Sequence, residues 1–216
     1  MREGMKEKTF APFSFVLSRF LLSRLYAFAP LSIFMKEAFI FLAEGFEETE
    51  AIATMDVIRR GGINLTSVSI SNMYFAEGAH DIIVEVDSLF SETDFSNGSI
   101  LILPGGMPGA ANLNNHTGLK NLLKEYADQG KKIAAICAAP LVLGGLGLLQ
   151  GKKATAYPGF ESTLTGAEYI ETNVVIDGNI ITARGPGFAL DFGLAIVSQL
   201  AGQEKAKEVA EGMLIK

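Results

Sequence analysis

The single cysteine of the chain, Cys137, is the residue with the clearest potential for chemistry. It lies in the stretch KKIAAICAAPLVL, where an apolar run of strand length gives way to small residues and to a proline that can begin a helix. A sharp strand-to-helix turn exposes a nucleophile at the edge of a sheet and requires small neighbours, which Ala138 and Ala139 provide. A helix N-terminus would also lower the pKa of the thiol. The alternative is a small core residue, since free cysteine is among the most buried residue types, and the spacing favours neither interpretation.

A glycine pair follows another apolar run, in the stretch ILPGGMPG. Glycine lets the backbone approach a ligand closely and present its N–H groups. The N–H of Gly106, together with that of Ala138, would form an oxyanion hole for a carbonyl under attack by Cys137. The alternative is an ordinary loop after a buried strand. A phosphate loop is excluded because no Gly-Lys-Ser/Thr follows.

An acidic stretch, EGFEETE, lies at a third junction between a strand and a helix. Acidic residues in the first turn of a helix usually complement the helix dipole, and this explains most of the four glutamates. Glu50 differs because Ile52 continues an increasingly apolar helix face. A half-buried carboxyl at this position would have a raised pKa and could donate a hydrogen bond or move a proton.

The elements that must position these residues alternate along the chain between apolar runs and helical periods. Alternation of this kind predicts an α/β fold with a mostly parallel sheet and helices on both faces, and ligands then bind beyond the carboxyl ends of the strands. Strands are predicted at 37–43, 63–71, 81–87, 99–106 and 132–137, a hairpin at 173–183, and helices at 47–62, 117–130, 138–149, 187–202 and 203–215.

Composition narrows the function classes. The 216 residues are 49% hydrophobic and carry a formal net charge of −6, so a nucleic-acid partner is not expected. One cysteine cannot form an internal disulfide, and no motif for a metal site is present, so we expect a cytoplasmic protein without a bound metal.

The first 34 residues differ from the rest in being basic and rich in Phe, Leu and Ser. Arg19 and Arg24 interrupt their apolar run, so a membrane-spanning helix is not expected. We interpret residues 1–34 as an extension outside the domain, either a start of translation before Met35 or a targeting segment. Residues 35–216 are predicted to form one domain.

Five stretches come in an order and spacing that resemble the ThiJ/PfpI superfamily, most closely its parkinsonism-associated deglycase branch. They are AEGFEETEA, VIRRGGI, ILPGGMPGAANL, KKIAAICAAPLVL and ITARGPGFALDFGLAIV. The resemblance covers nearly all of residues 36–215. It implies a flavodoxin-like three-layer sandwich of the class I glutamine amidotransferase type, a homodimer and no cofactor.

The resemblance also implies roles for individual residues. It implies that Cys137 is the nucleophile, that Glu50 is hydrogen-bonded to the thiol, and that Gly106 and Ala138 are backbone donors. It implies a pocket formed by Gly105, Tyr157, Pro158 and Arg184. Tyr157 stands where related deglycases carry a histidine, and it is either a hydrogen-bond donor or a pocket wall.

The function implied is that of a glyoxalase or deglycase acting on methylglyoxal-like dicarbonyls or their adducts. An alternative is a redox-sensing or chaperone-like protein with an oxidisable cysteine. A cysteine peptidase or amidase is less favoured, because that branch has a histidine where this chain has Ala138. A thiamine-related role has no phosphate-binding motif to support it.

Four other residues have simpler interpretations. We expect Arg184 to pin its loop rather than to bind an anion, and Arg60 to lie at the surface or at an interface. His80 and His116 are expected to be solvated. Met107, next to the glycine pair, is expected to be a pocket wall.

Overall fold

The computed structural model describes residues 36–215. The predictions for residues 1–34 therefore lie outside the described residues. The central sheet has seven strands in the order β10-β11-β7-β6-β1-β2-β5, and every neighbouring pair is parallel except β10 and β11. The strands are β1 (Glu37–Leu42), β2 (Asn64–Ser69), β5 (Ser88–Leu89), β6 (Gly98–Leu103), β7 (Lys132–Ile136), β10 (Val174–Asp177) and β11 (Ile180–Ala183).

Residues 36–215 form six α-helices. They are α1 (Glu48–Arg60), α2 (Gly109–Asn115), α3 (Thr117–Asp128), α4 (Pro140–Gly145), α5 (Ala189–Ala201) and α6 (Gln203–Gly212). The α5 helix packs against both α1 and α6, whereas α2 contacts α3 and α4. Strand β1 is buried on both faces from Ala38 to Leu42, as a parallel strand covered by two helical layers must be. The fold is thus the expected α/β sandwich of flavodoxin-like type.

The predicted strand at 81–87 is wrong in its extent, and it does not join the main sheet. Only Ile83–Glu85 is extended (β4), and it pairs with β3 (Phe75–Glu77) in a separate antiparallel hairpin. Ile83 and Glu85 are exposed and Val84 is half-buried, so these residues alternate across one thin layer. A second small ladder, β8 (Lys153–Ala154) with β9 (Glu168–Tyr169), also lies outside the main sheet.

Other differences are of length. The predicted helix at 138–149 is only six residues long, because the glycine-rich run ends it at Gly145. The hairpin predicted at 173–183 is confirmed, with Gly178 of the turn at a φ of +62°.

The order of the strands places β6 between β1 and β7, at the centre of the sheet. The three junctions singled out in the sequence follow these three adjacent strands. Because the strands are parallel, their carboxyl ends and the segments that follow them share one edge of the sheet.

Candidate active site

Cys137 occupies the sharp turn between β7 and α4. Its φ of +64° is in the left-handed region, which costs a non-glycine residue about 1 kcal/mol or more. Two backbone hydrogen bonds hold the turn: the N–H of Cys137 donates to Ala183 O, and its carbonyl accepts from the N–H of Tyr157, each at 2.9 Å. Pro140 begins the following helix, as the sequence indicated. The backbone therefore forms the elbow that a strand-to-helix nucleophile requires.

The cysteine is 8% exposed, so its side chain is nearly buried but still reaches the surface. The expectation of a lowered thiol pKa is wrong for this environment. Burial is the largest influence and raises the pKa of Cys137, and the neighbouring Glu50 carboxyl raises it further. The N–H groups of Gly106 and Ala138 act in the opposite direction by donating toward the sulfur, but they do not outweigh burial.

Glu50 lies on the first turn of α1 and is fully buried. Its Oε2 accepts a hydrogen bond from the N–H of Gly105 at 2.7 Å. Its Oε1 is buried without a hydrogen-bond partner of good geometry among the described residues. The side chain of Cys137 interacts with this carboxyl. The contact does not have the geometry of a hydrogen bond to Oε1.

Burial raises the pKa of Glu50 to about 7, against an ordinary value of 4.5. The interaction with Cys137 and the N–H of Gly105 oppose that rise, and the charge of Glu47 adds to it. A carboxyl with a pKa near neutrality can take up a proton and return it at physiological pH. The prediction that Glu50 has a raised pKa is confirmed, and its burial is more complete than expected.

Gly105 lies against both the Cys137 side chain and the Glu50 carboxyl. A Cβ at this position would lie 2.7 Å from Cys137 Cβ and 2.8 Å from Glu50 Oε2, so no larger residue fits. Gly106 has a φ of +88°, and a Cβ there would lie 2.4 Å from the backbone nitrogen of Glu47. The glycine pair therefore does more than present N–H groups, because it allows three segments of backbone to approach one another.

Two glutamates interpreted only as complements of the helix dipole have specific partners. Glu47 caps α1, with its Oε2 accepting from the N–H of Glu50 at 2.6 Å. Glu48 is only 6% exposed, and both of its oxygens bind His80, one at the backbone N–H and one at Nδ1. A glutamate directly before a helix is a weak signal for the cap. The His80 pairing has no signal in the sequence, because 32 residues separate the partners.

Tyr157, Pro158 and Arg184 line a cleft of about 340 Å³ beside the elbow, together with residues 185–188. Tyr157 connects the cleft to Cys137 through its backbone hydrogen bond. Gly105, the fourth predicted pocket residue, does not line this cleft and lies instead between Glu50 and Cys137. Met107 does not line this cleft and is half-exposed, so its interpretation as a pocket wall stays a prediction.

The arginines have surface partners. Arg184 pairs with Glu171 at 2.8 Å and donates its backbone N–H to Asn173 O, which agrees with the interpretation that it pins its loop. Arg60 pairs with Asp56 at 2.8 Å on the exposed side of α1. This places Arg60 at the surface of the described chain.

The expectation of solvated side chains is confirmed for His80 and wrong for His116. His80 is exposed but paired with Glu48. His116 is partly buried: its Nδ1 accepts from the N–H of Leu119 at the start of α3, and its ring lies against Phe90. Burial lowers the pKa of His116.

Within residues 36–215, Glu47, Glu48 and His80 form the one group of three possible metal ligands, with donor atoms within 4.8 Å of one another. Their oxygens already accept hydrogen bonds from Glu50 N–H and from His80. The prediction of a site without a metal stays a prediction. In the same part of the chain, no helix is long and apolar enough to cross a membrane.

The fold and the elbow define a flavodoxin-like α/β protein with a cysteine at the carboxyl edge of its sheet. The model of the DJ-1/PfpI family matches residues 36–199, and the chain therefore belongs to that family. Its curated relatives place it in the DJ-1 branch.

Protein DJ-1 homolog A of Arabidopsis thaliana is 41% identical over 86% of this chain and 48% of its own length. The chain thus spans about half the length of that relative. The glutathione-independent glyoxalase DJR-1.2 of Caenorhabditis elegans is 34% identical, over 83% of this chain and 97% of its own. Among solved structures, oxidized DJ-1 of Toxoplasma gondii superimposes with a TM-score of 0.80 at 34% identity, covering 83% of this chain and 98% of that one.

Proposed function

We propose that this protein is a cofactor-independent enzyme of the glyoxalase or deglycase type, which acts on methylglyoxal-like dicarbonyls or their adducts. The observation that carries the proposal is the buried contact between Cys137 and Glu50, in which the carboxyl has a pKa of about 7 beside a thiol whose pKa is raised. The similarity to a relative named as a glutathione-independent glyoxalase supports it.

The chemistry begins with transfer of the thiol proton to Glu50 as the sulfur attacks. The Cys137 sulfur forms a bond to the aldehyde carbon, the carbonyl electron pair moves to oxygen, and the oxygen takes up a proton to give a hemithioacetal. The N–H groups of Gly106 and Ala138, which already face the sulfur, stabilise the negative charge that develops there and on the oxygen.

Glu50 then removes the proton of the former aldehyde carbon while the adjacent carbonyl oxygen takes up a proton, which gives an enediol. The former ketone carbon next takes up a proton and the hydroxyl beside the sulfur loses one, which gives a thioester of a 2-hydroxy acid. Water hydrolyses the thioester, releasing the hydroxy acid and regenerating the thiol. The balance is one dicarbonyl and one water for one hydroxy acid, so the reaction needs no oxidant or reductant. Deglycation is the same chemistry on a dicarbonyl adduct.

The test is methylglyoxal consumption by the parent protein, Cys137→Ala and Cys137→Ser, with formation of lactate as the product measurement. We expect both variants to lose turnover to the level of buffer. Turnover in Cys137→Ala at the parent rate would show that another group carries the reaction. Because Cys137 is the only cysteine, residual thiol chemistry cannot mask the result.

The second candidate is a redox sensor, and the observation favouring it is the likeness to a relative whose structure is described as oxidized. The N–H groups that face the sulfur could hold the oxygens of a sulfinate. Intact-mass measurement after mild peroxide treatment separates the candidates. Stable gain of two oxygens at Cys137 with negligible dicarbonyl turnover would favour sensing over catalysis.

A homodimer and a cytoplasmic location belong to the same proposal. Apolar side chains exposed on α1 and on the neighbouring β3–β4 hairpin support the homodimer, notably Ile52, Ile82 and Ile83. Light scattering on the purified chain tests it, and a monomer mass at micromolar concentration would contradict it. Fractionation of cells tests the location.

A further inference from the structure

The turn of the β3–β4 hairpin, residues 78–82, lies against the segment that leads into α1. The N–H of Gly45 donates to Glu77 O, and the N–H of Ala79 donates to Phe46 O, both at 2.8 Å. Phe46 also forms an isolated parallel bridge with Gly78. The hairpin is thus joined by backbone hydrogen bonds to the residues directly before the helix that carries Glu50.

The same segment is held on its other side by the glycine loop after β6. The N–H of Glu47 donates to Gly105 O at 3.0 Å, and the N–H of Gly109 donates to Gly45 O at 3.0 Å. Residues 45–48 therefore lie between the hairpin turn and the glycine loop. Movement of either neighbour would displace the first turn of α1.

The side-chain contact across this junction is the pair formed by Glu48 and His80. Oε1 of Glu48 accepts from the backbone N–H of His80 at 2.6 Å, and its Oε2 lies 2.7 Å from His80 Nδ1. A Cβ at Gly78 would lie 2.2 Å from Oε1 of Glu48, so the hairpin backbone presses directly on the carboxyl. Glu48 is buried and depends on this one residue for both of its side-chain hydrogen bonds.

We propose that His80 is a positioning residue for the thiol: through Glu48 it holds the first turn of α1 at the place where Glu50 contacts Cys137. This inference rests on the proposed pairing of Glu50 with Cys137, but not on turnover of a particular substrate. It assigns a role to a hairpin that lies outside the main sheet and contributes no residue to the cleft beside Cys137.

The ion pair of Glu48 and His80 also makes the positioning of the first turn of α1 dependent on pH. His80 faces the carboxyls of Glu48 and Glu47 from α1 and that of Asp81 from its own turn, and the hydrogen bond to Glu48 is the largest influence raising its pKa. The pKa of Glu48 is lowered, because the hydrogen bonds from His80 outweigh the effect of burial. The ion pair is therefore charged between the lowered pKa of Glu48 and the raised pKa of His80, and it loses its charge as the pH rises through the pKa of His80.

The experiment measures alkylation of Cys137 by iodoacetamide as a function of pH, in the parent, His80→Ala and His80→Gln. Because Cys137 is the only cysteine, iodoacetamide alkylation of thiol groups reports on it directly. A Glu50 carboxyl that is held less firmly near Cys137 raises the pKa of the thiol less. His80→Ala should therefore move the alkylation profile to lower pH and increase the rate at pH 6 about threefold. His80→Gln, whose amide can still donate to Glu48, should stay close to the parent.

Lys205→Ala is the matched control, since it removes an exposed ion pair with Glu208 on α6. It should leave the profile unchanged. Thermal unfolding of every variant identifies loss of fold, and Glu48→Gln, which keeps the side-chain volume, replaces His80→Ala if that variant unfolds. Superimposable profiles for the parent, His80→Ala and Glu48→Gln would overturn the inference.

The outcome is separable from that of the proposed function. A parent protein that shows no dicarbonyl turnover, but whose alkylation profile moves in His80→Ala, would remove the enzyme and keep the positioning role. Loss of turnover in Cys137→Ala, together with an alkylation profile that is the same in the parent and in His80→Ala, would support the enzyme and remove the positioning role.

Discussion

The first turn of α1 has two sides, and each carries a buried carboxyl in a different state. Glu48 faces the β3–β4 hairpin, is 6% exposed and has a lowered pKa; Glu50 faces the sheet, is 0% exposed and has a pKa raised to about 7. Burial acts to raise the pKa of both groups. Glu50 is the more deeply buried of the two, and it has one backbone donor and an oxygen left unpaired, whereas both oxygens of Glu48 have donors. Deeper burial and fewer donors together raise the pKa of Glu50, while the hydrogen bonds of Glu48 outweigh the smaller effect of burial there.

The substitution with the largest expected effect on this comparison is Glu50→Gln, which removes the buried carboxyl with one unpaired oxygen. A group whose folded pKa is raised stabilises the fold below its unfolded pKa, and that stability is lost as the pH rises through the folded pKa. For Glu50 the loss falls between pH 4.5 and 7 and amounts to about 3 kcal/mol. We expect the free energy of unfolding to decline over this range in the parent and to decline much less in Glu50→Gln.

Urea unfolding at pH 4.5, 6 and 8 measures this difference. Glu44→Gln, an exposed acid of the same junction, serves as the control and should keep the slope of the parent. Equal slopes in the parent and Glu50→Gln would mean that Glu50 is ionised throughout and that the two sides of the helix do not differ.

A smaller effect is expected from Gly105→Ala, which inserts a methyl group between the thiol and the carboxyl. The added carbon would lie 2.7 Å from Cys137 Cβ and 2.8 Å from Glu50 Oε2, so overpacking should cost about 1–3 kcal/mol of stability. The added methyl group should also move Cys137 away from Glu50. The alkylation profile of Cys137 should therefore shift toward the profile of the Glu50→Gln variant. Thermal unfolding and thiol alkylation measure the two effects.

The control for this substitution is Gly212→Ala, where an added Cβ meets nothing within 4 Å. We expect its stability to stay within about 0.5 kcal/mol of the parent or to rise. A Gly105→Ala protein as stable as the parent, with unchanged thiol reactivity, would show that the approach of Cys137 to Glu50 is not tight.

The smallest effect is expected from Tyr157→Phe, on the cleft side of the thiol. The ring is 45% exposed, and its hydroxyl makes no hydrogen bond within residues 36–215. If Tyr157 is a wall of the cleft, loss of the hydroxyl should change methylglyoxal turnover by less than about twofold. Tyr169→Phe in β9 gives the baseline for a tyrosine elsewhere, and a loss of tenfold or more confined to Tyr157→Phe would instead assign it as a donor.

Much of the fold could be predicted because its signals are local. The apolar runs of β1, β6 and β7 have the length and continuity of strands buried on both faces, and the turn at Gly178 marks a hairpin. Of the β3–β4 hairpin only β4 was predicted, as part of a longer strand at 81–87, because the residues of the hairpin are mostly exposed and its strands are three residues long. Elements so short have no periodicity that could reveal them.

The sequence by itself determined the family, the sandwich and the choice of Cys137 and Glu50, since these depend on residue types and their spacing along the chain. The tertiary structure decided the direction of the thiol pKa and the partner of Glu48. Both depend on which groups meet across the edge of the sheet, where burial and hydrogen bonds are set by segments distant in sequence. A helix N-terminus is visible in a sequence, but the desolvation that outweighs it is visible only when the chain is folded.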